Sequence, residues 1–287
     1  MSANHIVVMP LDESLLKSVQ GRKVVVKVTS EDELNRCQDV FRSVGVDLFA
    51  VWFVSDKPLS ELNLSESLVN LPIALYVPKV GVFAEAMCRL PLLHKLNIKI
   101  FLSNREQENY VMLQALSSLN VYCGLYFDSP LMDAEEMTDL AHYYLYSTSP
   151  HAPIEPFYYL MEHYDPAGKT DFSGVYFDDI HRFVHMDKEG NLALSASDLE
   201  HGVYIGQGPG QINAIGENKA FSARANKWQA LFLENSDCST CEGWRVCLGK
   251  FSEQSGEKGC EQVFVEMLEG IEGTRRMRKG GKQIWQS

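Results

Sequence analysis

Four cysteines fall within 23 residues near the end of the chain: Cys238-Ser-Thr-Cys241, then Cys247 and Cys260. Thiolates bind metal strongly, and two cysteines separated by two residues can turn both sulfurs toward one ion while backbone amides donate to them. Cys247 and Cys260 would complete a four-thiolate shell. Gly243, Gly249 and Gly259 supply the backbone freedom that tight knuckles require. Residues 1–10 lack a basic region, an apolar segment and a small-residue cleavage site. The chain is therefore read as cytoplasmic, and the cluster as a metal site before it is read as disulfides. One centre held by Cys238, Cys241, Cys247 and Cys260 is predicted, with sulfurs within about 4 Å for a single zinc or roughly 6–7 Å around a cubane. Cys37, Cys88 and Cys123 stand alone inside apolar patterns and are predicted to be buried core thiols.

Such a set needs a folded body to position it. The chain has 287 residues, 45% of them hydrophobic and 22% charged, which suits a globular core and excludes disordered, collagen-like and coiled-coil chains. Its longest apolar stretches, such as residues 48–54, are too short to span a bilayer, so no membrane association is expected. The net charge of −12 is uneven: residues 271–287 sum to +4, which leaves −16 for the rest. An acidic body argues against nucleic-acid binding, which needs an extended basic surface. The basic tail is a solvated terminus or a dock for RNA or an acidic partner.

The first half alternates strands and helices. Residues 23–29 (KVVVKVT), 47–54 (DLFAVWFV), 72–77 (PIALYV), 98–103 (IKIFLS) and 121–127 (VYCGLYF) read as buried strands. Ser30 and Glu33 form a capping-box pattern, Leu34, Cys37, Val40, Phe41 and Val44 follow at helical spacing, and Gly45 stops the helix. Further helices are expected over 82–96, 107–119 and 133–146, with 58–71 only partly helical. Continuous apolar strands imply parallel pairing and right-handed crossovers, as in an incomplete β/α barrel or an open doubly wound sheet. No GxxxxGK[ST], GxGxxG in a strand–helix context, or GxSxG occurs. Pro150, Pro153 and Pro156 end the alternation, and an aromatic and histidine-rich stretch follows, read as packing between two lobes. Residues 182–187 and 191–197 frame a Lys188-Glu189-Gly190 turn and read as a hairpin that leaves His181 and His185 too far apart to chelate. A helix over about 217–233 then delivers the chain to Cys238.

From 183 to about 266 the chain resembles a SPASM or twitch domain, the auxiliary-cluster module found behind radical SAM enzymes. The likeness rests on the Met186–Gly190 hairpin, the Tyr204-Ile205-Gly206 step, the following helix and the Cys238/Cys241/Cys247 spacing. Ser195 and Ser197 stand in the hairpin region where that family often has a cysteine, and Phe251 stands where its next cysteine would come. The upstream half resembles a degenerate radical SAM domain, an α/β partial barrel of about five to six strands, without the CxxxCxxC that leaves one iron open to S-adenosylmethionine. The resemblance implies a degenerate domain over 1–180, a SPASM/twitch-like metal-cluster module over 181–270 and a basic tail over 271–287. It further implies one [4Fe–4S] cluster and no S-adenosylmethionine cleavage. The role implied is that of a non-catalytic accessory in ribosomal peptide maturation, with a precursor peptide or a radical SAM enzyme as partner. The alternatives are a zinc-clasped binding protein, or an independent barrel enzyme using Asp128, Asp178 or His181 as acid and base.

Overall fold

The computed structural model describes residues 5–128, 132–165, 167–251 and 259–284, the side chains of 236 and 275–284 excepted. The protein has an α/β fold with ten strands, mostly parallel, among the described residues. The chain divides into two compact units, residues 1–102 with 173–227 and residues 103–172 with 228–287.

In the first unit the strands are β1 (Ile6–Pro10), β2 (Lys23–Val28), β3 (Asp47–Val54), β4 (Ile73–Val77) and β5 (Ile98–Ser103). β6 (Cys123–Tyr126) and β7 (Ile154–Glu155) form a parallel pair in the second unit. The first unit is completed by β8 (Phe183–Met186), β9 (Asn191–Ala193) and β10 (Gly206–Gln207). β1 to β5 lie side by side in chain order, and β8 runs parallel to β1 on its free side, with Val8 opposite both Val25 and His185. β9 and β10 extend this edge antiparallel.

Local signals explain the elements that were expected. The Ser30 hydroxyl accepts the Glu33 amide, while Glu33 reaches back to the Thr29 amide at 2.9 Å and tightens the helix start. Gly45 ends that helix at φ 67, a left-handed cap that glycine adopts freely. Gly190 closes the β8–β9 turn at φ 80. The stretch over 58–71 holds two 3₁₀ turns, Leu59–Glu61 and Glu66–Leu68.

Three elements differ from the reading of the sequence. β1 precedes the first expected strand; its Ile-Val-Val-Met run is only five residues long with its final proline and carries no alternation. The expected 82–96 helix is two short helices, Phe83–Met87 and Leu90–Lys95, broken at Cys88-Arg89. This break corrects the expectation for Cys88, which is exposed, whereas Cys37 and Cys123 are buried. The third is a helix from Cys260 to Ile284, whose buried Val263, Phe264, Met267, Leu268 and Ile271 make one apolar stripe. It packs on the Ala134–Tyr146 helix, so closely that a Cβ on Gly270 would lie 2.7 Å from Leu145 Cδ1. The helix carries the backbone into the basic tail; the side chains of Arg275, Arg276, Arg278, Lys279 and Lys282 lie outside the described residues.

One face of the first unit's sheet is filled by rings. Trp52 of β3 packs on Tyr76 of β4 at 5.7 Å, and Tyr76 on Phe101 of β5 at 4.7 Å. Phe177, on the segment leading into β8, closes on Trp52 at 5.8 Å. His185 of β8 joins the same layer, 6.4 Å from Trp52. No described helix is long and apolar enough to cross a membrane.

Candidate metal centre

The cysteines sit in the second unit, on a chain that reverses direction several times. Asn235 ends the long Lys219–Glu234 helix and caps the next turn, its side-chain oxygen accepting the amides of Asp237 and Cys238 at 3.1 Å each. Cys238 therefore lies inside the Ser236–Thr240 turn, and Cys241 immediately follows it. A single helical turn, Trp244–Cys247, buries Trp244, Val246 and Cys247. Leu248 at φ 50 and Gly249 at φ 78 then turn the backbone sharply back. Cys260 is the first residue of the C-terminal helix.

The spacing Cys-x-Gly occurs twice, at Cys241–Gly243 and Cys247–Gly249, and it has a direct physical consequence. Burial raises the Cys241 thiol, while the nearby backbone amides of Gly243 and Trp244, the latter donating to the Cys241 carbonyl, pull toward the thiolate. Burial likewise raises Cys247, and the backbone amides of Phe251, Gly249 and Lys250 favour its thiolate. Amides aimed at sulfur stabilise a thiolate and tune a metal bound to it. The glycines are needed for space as well: a Cβ on Gly243 would stand 2.6 Å from Phe264 Cβ, and one on Gly249 would collide with a Leu231 methyl. Gly243→Ala is expected to push the knuckle away from the C-terminal helix and destabilise the protein by about 1–3 kcal/mol, the usual cost of overpacking. Urea unfolding of the metal-free protein measures this.

All four cysteines are free thiols, so disulfides are not formed among them. Burial raises the pKa of each. Cys260 is pushed up to about 11, by burial first and then by the charges of Cys247, Cys241 and Cys238. Cys238 is likewise raised by Cys247 and Cys241. Among the described residues, no three His, Cys, Asp or Glu side chains stand as closely as around a bound ion. The chemistry of the donor set still fits a thiolate-bound metal: four free thiols on one short stretch of chain, which a metal takes in their deprotonated form.

An aromatic wall backs the cysteines. Phe264 stacks with Phe251 at 5.6 Å and with Phe172 at 6.4 Å, and Phe127 meets Phe251 at 5.1 Å. Phe251, the residue in place of a further cysteine, is fully committed to this core. Lys250 reaches Asp171 at 2.7 Å, and the Thr170 amide bonds to the Arg245 carbonyl, so the loop before β8 fastens the knuckles from outside.

The other candidates are not brought into one site. Asp128 accepts from Ser103 at 2.7 Å and pairs with Arg105 at 3.2 Å, the geometry of a structural anchor. His181 is exposed and leans on Phe221, while His185 is buried in β8. Asp178 sits in the loop before β8, its amide bonded to the Ser173 carbonyl. His151 packs on Tyr143 and Tyr144, and His163 stacks on Tyr159. The sequence did not identify which backbone amides lie near Cys241 and Cys247, although the repeated Cys-x-Gly carried that signal. It also gave no sign that Lys27, His185 and Glu200 share a cavity, because they come from three separate parts of the chain. Comparison of the chain with family models, curated proteins and solved structures found no match to any of them.

Proposed function

We propose that this chain is an accessory iron–sulfur protein of ribosomal peptide maturation that holds one [4Fe–4S] cluster and binds a precursor peptide or a radical SAM partner. The observation that carries the reading is the set of four free cysteines on tight turns and a helix start, with nearby backbone amides that favour the thiolate at Cys241 and Cys247. The side-by-side chain order of β1 to β5, with β8 beside β1, supports a partial β/α barrel as the body that carries the cysteine-rich module.

In this reading Cys238, Cys241, Cys247 and Cys260 hold the cluster, and the amides of Gly243, Trp244, Gly249 and Lys250 stabilise the charge on two of the sulfurs. A cluster bound there supplies one-electron transfer. With four protein ligands and no CxxxCxxC elsewhere, the chain offers no open iron position, so its role is relay or docking rather than catalysis. The −16 body favours a basic peptide segment or partner face, with an attraction that weakens as salt rises. The Cys-x-Gly knuckles equally suit zinc, which makes a zinc clasp the second reading.

Anaerobic purification and visible spectroscopy test the proposal. Brown protein whose absorption bleaches with dithionite supports the cluster, and a colourless protein with one zinc per chain replaces it with the clasp. Reduced, reconstituted protein is expected to form no 5′-deoxyadenosine from S-adenosylmethionine above the level of a variant lacking the four cysteines. Formation above that level would overturn the non-catalytic assignment.

A further inference from the structure

A cavity of about 310 Å³ opens in the first unit at the carboxyl ends of β1, β2 and β8, beneath the short Ala196–Glu200 helix. In parallel α/β sheets this end of the strands is where ligands bind, because the loops there are free to vary over a rigid floor. The floor is apolar, made by Val8, Met9, Pro10, Met186 and Leu199. The volume lies at the lower bound of small-molecule pockets, which suits a molecule of amino-acid size.

Three polar groups on its wall are left with unused hydrogen-bonding capacity. His185 is only 2% exposed, and its Nε2 lies 3.0 Å from the Phe177 carbonyl. A carbonyl can only accept, so Nε2 carries the proton and Nδ1 presents a bare lone pair. That Nδ1 has no hydrogen-bond partner among the described residues. Lys27 Nζ lies 4.8 Å over the Trp52 ring and 3.6 Å from Glu200 Oε1, too far for a hydrogen bond. Lys27 and Glu200 thus form a loose ion pair at the cavity wall, too long for a hydrogen bond, so a ligand carrying both charges can add hydrogen bonds to each. The remaining acids are committed elsewhere: Glu33 accepts the Thr29 amide at 2.9 Å, and Asp187 accepts both the backbone and the side-chain nitrogen of Asn191. Lys188 adds a second ammonium at the rim.

We infer that this cavity binds a free zwitterionic α-amino acid with an apolar side chain. Lys27 takes the carboxylate, Glu200 and His185 Nδ1 take the ammonium, and the side chain lies on Met9, Met186 and Leu199. A ligand with a single charge would engage only one of Lys27 and Glu200, whereas a zwitterion engages both members of this loose pair. The inference is independent of the cysteine centre, whose residues belong to the other compact unit.

Isothermal titration of the full chain with L-leucine tests it, alongside isocaproate, which lacks the ammonium, and isoamylamine, which lacks the carboxylate. Saturable binding of leucine is expected, with each single-charge analogue at least about tenfold weaker, a difference of about 1.4 kcal/mol. Glu200→Gln and Lys27→Gln are each expected to weaken leucine by at least the same factor while the near-UV circular dichroism stays unchanged. No heat or spectral change with leucine at millimolar concentration would overturn the inference. Equal binding of leucine and isoamylamine, or full affinity in folded Glu200→Gln, would overturn it too.

Discussion

If the four cysteines hold a metal as proposed, Cys247→Ser is expected to abolish its binding, because it removes one of the four thiolates from a buried position. The loss should exceed the ~10–100-fold typical of changes to groups that merely orient a ligand. Cys260→Ser should act in the same direction, since it removes the fourth proposed thiolate. Cys88→Ser provides the contrast: that side chain is exposed and outside the quartet, so metal content should not change. Cys37→Ser should also keep the metal but lower stability, because its thiol is buried and raised to about 12. Metal analysis after desalting reads all four variants. Retention of a full metal equivalent by Cys247→Ser or Cys260→Ser would dismantle the four-thiolate centre. Binding should also release up to about four protons at neutral pH, since thiols held neutral must give theirs up. Affinity should therefore fall steeply as pH is lowered.

Acid should destabilise the first unit through His185. Its pKa is lowered from 6.5 to about 4, mainly by burial and further by the Lys27 charge, against the Phe177 carbonyl and Asp198, which favour the charged form. The unfolded chain protonates this imidazole near 6.5 while the folded chain resists. The contribution is fully present above 6.5 and disappears as pH falls through about 4. That shift corresponds to about 3 kcal/mol. His185→Gln can preserve a donor for the Phe177 carbonyl and cannot titrate. It should be less stable than the parent at pH 7, with a shallower decline between pH 6.5 and 4. Denaturant midpoints at several pH values decide the matter, and parallel declines would remove His185 as the cause.

The helix bounded by Ser30 and Gly45, the strands β2 to β5 and the β8–β9 turn could all be read from the amino acids alone. Each depends on interactions across a few residues, such as a hydroxyl meeting an amide three positions on or a glycine free to take positive φ. Tertiary structure decided what depends on distant partners. β1 is a strand because β2 and β8 flank it, and its pairing of Val8 with His185 joins residues at opposite ends of the first unit's sequence. The same neighbourhood brings His185 against Trp52 and Lys27 beside Glu200, and so creates a cavity that no local pattern announces. Cys37 and Cys88 sit in similar apolar patterns, yet one is core and the other exposed, because only the Glu31–Val44 helix remains unbroken. A short-range signal fixes backbone conformation, whereas burial and strand order are properties of the assembled sheet, in which each strand is stabilised by whichever segments come to lie beside it.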